Sequence, residues 1–154
     1  VVRHADLQPL LDARLVPKVL VATQTRVIEA APDPNGTYMP CTPLVRIVPR
    51  DPIDVWRITA SLCAPQTTAI AAHRHFGAGR APNTLRLRAT DIAALPLLPD
   101  TDTTRQAMDA VRRLHDGSGT LATLLQLASA AFGHTPQGLL EWWWSRAPQR
   151  LARD

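Results

Sequence analysis

Lysine is almost absent from this chain: Lys18 stands alone against sixteen arginines among 154 residues. A GC-rich coding sequence accounts for that bias; the alternative is selection for the planar guanidinium, which grips phosphate and guanine with two parallel hydrogen bonds. Cysteine is equally scarce. Cys41 and Cys63 have neither the density of a disulfide framework nor the spacing of a metal pair, so both are expected as small buried hydrophobes in a reducing bacterial cytoplasm. No run approaches the ~18 consecutive apolar residues of a membrane-spanning helix, and no basic-then-apolar leader opens the chain. The first residue is Val1 rather than methionine, which points to a piece of a longer protein. Acid is missing locally. Between Val55 and Thr90 there are five arginines and two histidines (Arg57, His73, Arg74, His75, Arg80, Arg86 and Arg88) and no Asp or Glu.

What is present suffices for a core. At 45% hydrophobic, 154 residues make one domain, or a domain with an appendage. The net charge is only +4, so the acid-free stretch is where positive potential concentrates, and an uncompensated arginine block is the footprint of a polyanion partner.

The pattern along the chain predicts a mixed α/β fold, a small mainly antiparallel sheet with packed helices, followed by an all-helical tail. Asp6 caps a short helix that Pro17 ends. KVLVATQ (Lys18–Gln24) and RVIEAA (Arg26–Ala31) read as strands, DPNG (Asp33–Gly36) as a tight turn, and Thr37–Val48 as one or two more strands broken by prolines. Asp51 and Pro52 start a helix with Val55, Ile58 and Leu62 on its apolar stripe; Pro65 starts a second that Gly77 ends. TLRLRA (Thr84–Ala89) alternates as a strand, with Leu85 and Leu87 to one side and Arg86 and Arg88 to the other. Composition changes at Asp100, dividing residues 1–99 from a helical tail over 100–154 with helices at 101–116, 120–132 and 135–147.

Several chemistries are excluded on inspection. GAGRAP is not a dinucleotide loop: Pro82 takes the third glycine position and the segment runs from helix to strand, so no helix N-terminus faces a pyrophosphate. His73 and His75 fall on a helix, where i and i+2 point roughly 200° apart, and no acidic partner accompanies them; no metal site is expected. No nucleophile elbow, paired carboxylates or Asn-Pro-Pro-aromatic tetrapeptide is present, so no catalytic residue is assigned. Trp142, Trp143 and Trp144 fan around a helix, and two rings are expected to pack while one stays partly exposed, a candidate interface for another subunit. The helix pair 120–147 has a helix-turn-helix outline, but its second helix carries tryptophans and Glu141 where a reading helix would carry Arg, Gln or Asn.

Read in order, PKVLVATQTRVIEAAPDPNG, IDVWRITASLCAPQTTAIAAHRHFG and APNTLRLRATDIAALPLLPD resemble the target recognition domain of adenine-specific DNA methyltransferases and type I specificity subunits of restriction–modification systems. The exit LPLLP is the most specific of these motifs; Cys63-Ala64 departs from the family's Asn-Ser. The resemblance covers Lys18 to Pro99, about half the chain, and implies sequence-selective binding of duplex DNA. It also implies a separate N-terminal methyltransferase domain holding S-adenosylmethionine, so no cofactor is expected in these residues. On this reading Gln24, Arg26, Arg80 and Asn83 are the candidates for base edges, and Lys18, Arg74, His75, Arg86 and Arg88 for phosphates. The competing reading is a protein-interaction or assembly domain whose arginines form a solvated face and whose tail joins subunits.

Overall fold

The computed structural model describes residues 8, 9, 11–75 and 84–152. Its centre is a three-stranded antiparallel sheet in the order β3-β1-β4, with β1 Lys18–Ala22, β3 Ala30–Asp33 and β4 Leu44–Ile47. A second, two-stranded ribbon pairs β2 (Gln24–Thr25) with β5 (Leu85–Arg86). Among the described residues, the helices packed around these strands are α1 Asp54–Cys63, α2 Pro65–His75, α3 Ala89–Ala93, α4 Asp102–His115, α5 Leu121–Ala131 and α6 Leu139–Arg146, with a final 3-10 turn Gln149–Ala152. This is the mixed α/β architecture that the periodicities imply.

The sheet is organised by its turn. Gly36 adopts φ +67°, and a Cβ there would lie 2.7 Å from the backbone of Val16, so both the conformation and the space require glycine. The strand that runs into this turn, β3, sits at the sheet edge, where Pro32 removes no ladder hydrogen bond that a further strand would need. Val19 and Val21 of β1 are fully buried and face α1, joining Val55 and Leu62 in the first core cluster.

Helix α1 is buried on two sides. Its other face, with Ala60 and Cys63, joins Leu98, Ala107, Val111 and Leu124 in a second cluster, so α4 and α5 share a core with the N-terminal half. Ser61 ties these parts together: its hydroxyl donates to Arg57 O (2.7 Å) and accepts from Leu98 N (2.9 Å). A third cluster joins Val27, Leu125 and Trp143.

Several local expectations shift for tertiary reasons. The strand anticipated over 26–31 lies instead at Ala30–Asp33, because Val27 is drawn into the third cluster and Ile28 N donates to Thr68 Oγ1 (3.1 Å) on α2. The strand over 84–89 is reduced to Leu85–Arg86, since Arg88 becomes the residue that opens α3. The last helix starts at Leu139 rather than Thr135: Gly138, at φ +77°, sits at its cap, and the Thr135 hydroxyl bonds to Ser129 Oγ (2.9 Å). Asp51 does accept Ile53 N (3.0 Å), but a tight turn intervenes before α1 begins at Asp54. Cys63 is buried as anticipated; Cys41 is exposed, because it lies in the irregular segment before β4 rather than under a helix.

Candidate nucleic-acid interface

The ribbon β2–β5 gathers the polar candidates. Gln24 pairs with Arg86 in register and Thr25 with Leu85. Leu85 and Leu87 are buried against the first core, so alternation along the strand turns Arg86 and Arg88 outward together with Gln24. The ribbon is held to the main sheet by Thr23: its carbonyl accepts Leu87 N (3.0 Å), and its hydroxyl donates to Pro43 O (2.8 Å). The side chains of Gln24 and Arg86 are exposed and make no hydrogen bond or ion pair among the described residues.

Arg88 is engaged. Its guanidinium donates to both carboxylate oxygens of Asp91 at 3.1 Å, and its backbone N–H to Asp91 Oδ2 at 2.8 Å. The Arg88 guanidinium, then its amide, hold the Asp91 carboxyl down at about 2. His75 Nε2 lies 4.0 Å from the same carboxylate. Asp91 is thus the counter-charge of the acid-free stretch, one residue beyond its end. Arg74 Nη1 donates to Ala94 O (3.2 Å) and remains exposed, whereas Arg57 is half-buried with two bonds to Leu98 O (2.9 and 2.6 Å).

Lys18 is not available to a phosphate. Its ammonium is fully buried, 2.5 Å from Asp33 Oδ2 and 3.1 Å from Val16 O. The register Lys18↔Asp33 in the β1–β3 ladder makes that pair, and the turn after β3 covers it. Arg80 and Asn83 lie outside the described residues.

Arg26 is exposed just past β2, and its carbonyl accepts Arg146 Nε (3.2 Å) from the end of α6. Burial, and then the nearby charge of Arg26, push the Arg146 guanidinium down from its ordinary pKa. Arg146 also lies 5.2 Å over the Trp142 ring. Linear reading missed Arg146, because 120 residues separate it from Arg26. Of the tryptophans, Trp143 is buried with its Nε1 donating to Thr68 Oγ1 (3.3 Å); Trp142 and Trp144 are half-buried.

Among the described residues there is no group of three His, Cys, Asp or Glu able to hold a metal, and no helix long and apolar enough to cross a membrane. No family model matches the chain, and no curated protein or solved structure matches it.

Proposed function

We propose that this chain binds duplex DNA through the β2–β5 ribbon, as the target recognition module of an adenine-specific DNA methyltransferase whose catalytic domain lies elsewhere in the parent protein. The observation that carries the reading is the ribbon itself. A two-stranded ribbon is one of the few elements that fit the major groove, and this one presents Gln24 and Arg86 side by side on its open face. Gln pairs with adenine edges and Arg with guanine or phosphate. Arg26 and Arg88 flank them, and Arg74 with His75 stands beside Asp91 on the next element. The methyltransferase context rests on the resemblance of Lys18–Pro99 alone; S-adenosylmethionine and the methyl transfer belong to the absent domain.

The assembly-domain reading keeps one specific support: Arg57, Arg74 and Arg88 each have protein partners, so part of the arginine block serves the fold. The two readings separate by titrating labelled duplex DNA with the chain at several salt concentrations. With about three phosphates neutralised, log affinity should fall with a slope of roughly −2.7 against log salt, and Arg86→Ala should flatten that slope by about one unit. No binding at low salt, or a slope that Arg86→Ala leaves untouched, favours the assembly domain.

A further inference from the structure

Beyond the ribbon, the two edges of the main sheet differ in what they leave unpaired. Thr23 N donates to Pro43 O (3.2 Å) and Ala22 N to Glu29 O (3.0 Å), which fixes the alternation of both ladders. On β4, Val45 and Ile47 therefore bond to β1, while the backbone groups of Leu44 and Arg46 point away from it. On β3 it is Ala30 and Pro32 that point away. That edge is closed: Pro32 has no N–H, and the outward carbonyl of Ala30 accepts Cys63 Sγ (3.7 Å) from α1. The β4 edge is open. The N–H and C=O of Arg46 have no partner among the described residues, nor do those of Val48 just beyond the strand. Exposed apolar side chains gather there as well: Leu44 and Val48 along the strand and its extension, Ile53 shortly after it, and Leu15 beside the Ala13 carbonyl that accepts Arg46 Nη1 (2.8 Å).

An open edge with an apolar margin is a template for a further strand, and the contrast between the two edges identifies that strand as β4 of a second copy. Copies cannot stack β3 on β4, because β3 lacks the donor at Pro32 and its Ala30 carbonyl is taken. Two β4 strands about a two-fold axis use the open edge of both copies and leave a closed edge at each end. Register follows from charge and from which groups are free. Centring the axis on Arg46 sets two guanidinium side chains opposite each other. Centring it on Val45 requires the Leu44 N–H, which already donates to Cys41 O (3.0 Å). Centring it on Ile47 sets Arg46 opposite Val48 of the second copy, where every backbone group is free. The two half-buried Ile47 side chains then meet across the axis as a branched cross-strand pair.

We propose that this chain forms a two-fold dimer by antiparallel β4–β4 pairing centred on Ile47, which joins two three-stranded sheets into one. In sedimentation at micromolar concentration the whole chain should run at twice the monomer mass. Arg46→Pro removes the outward N–H without touching the β1 ladder, and should run as a monomer with native circular dichroism. Arg46→Ala keeps that N–H and should stay dimeric. In a Cys41→Ser background, which removes the exposed native thiol, Ile47→Cys should form a disulfide-linked dimer on mild oxidation. Opposed residues of a non-hydrogen-bonded antiparallel pair lie within disulfide reach. Leu44→Cys, set opposite Arg50 of the second copy, should not cross-link. The proposal is overturned if the wild-type chain is monomeric, if folded Arg46→Pro remains dimeric, or if Arg46→Ala becomes monomeric. It is also overturned if Ile47→Cys fails to cross-link or Leu44→Cys cross-links as readily, and that comparison decides the matter where Arg46→Pro fails to fold.

Discussion

Replacing Lys18 by methionine keeps the aliphatic stem in place and removes only the ammonium. Asp33 is then left buried and charged, with Thr37 N (2.9 Å), Thr37 Oγ1 (3.2 Å) and Tyr38 N (3.0 Å) still donating to it. Breaking one side of a buried pair typically costs 3–5 kcal/mol; with three donors remaining, we expect about 3 kcal/mol at pH 7. That is a large share of the ~5–15 kcal/mol by which domains are stable, and corresponds to a fall in Tm of roughly 6–12 °C. Lys18→Met with Asp33→Asn should recover most of the loss, because the amide oxygen still accepts the turn's N–H groups and no charge is stranded.

The pH dependence has a defined sign. Burial pushes the Asp33 carboxyl up, but the Lys18 hydrogen bond and the Tyr38 and Thr37 amides outweigh it, leaving the pKa below its ordinary value. A depressed carboxyl stabilises fully above the unfolded value of about 3.9 and loses that contribution as pH falls through the folded value. In Lys18→Met the carboxyl no longer has its cation, so protonation relieves the variant sooner. The gap between wild type and variant should therefore narrow on going from pH 7 to pH 3. Urea unfolding at both pH values measures it. A difference below about 1 kcal/mol at pH 7, or a gap that does not change with pH, refutes the reasoning.

Other outcomes follow from the same geometry. Asp91→Asn should free Arg88 and His75 and tighten binding to duplexes of any sequence, measured by anisotropy at fixed salt; unchanged affinity removes Arg88 from the interface. Arg80→Ala, at a position outside the described residues, should cost roughly 1–3 kcal/mol on the cognate duplex and relax preference at one base position, read by competition with singly substituted duplexes. A uniform loss across sequences assigns Arg80 to phosphate instead. Exposed Cys41 should react with a thiol reagent at pH 8 in the native chain, whereas Cys63, buried and pushed up to about 11, should react only after denaturant is added; fast labelling of both thiols contradicts the packing of α1.

Features governed by neighbours in sequence were legible in it. The alternation Leu85-Arg86-Leu87-Arg88, the DPNG turn with its positive-φ glycine, and the apolar face of α4 at Ala107 and Val111 all appear where the periodicity places them, because two-, three- and four-residue spacings are local geometry. The mixed α/β class follows from those elements. Tertiary structure alone decided which charges remain available. Lys18 reads as a surface cation until the β1–β3 register sets Asp33 opposite it. Arg146 reads as an ordinary tail residue until α6 docks on the third cluster and carries it to the carbonyl of Arg26. Composition likewise marks a boundary at Asp100, yet α1 packs against both the sheet and α4–α5, since a helix apolar on two sides must be covered on both. A charge's partner is set by distance through space, and the partners that tertiary structure supplies here lie from 15 to 121 residues away along the chain.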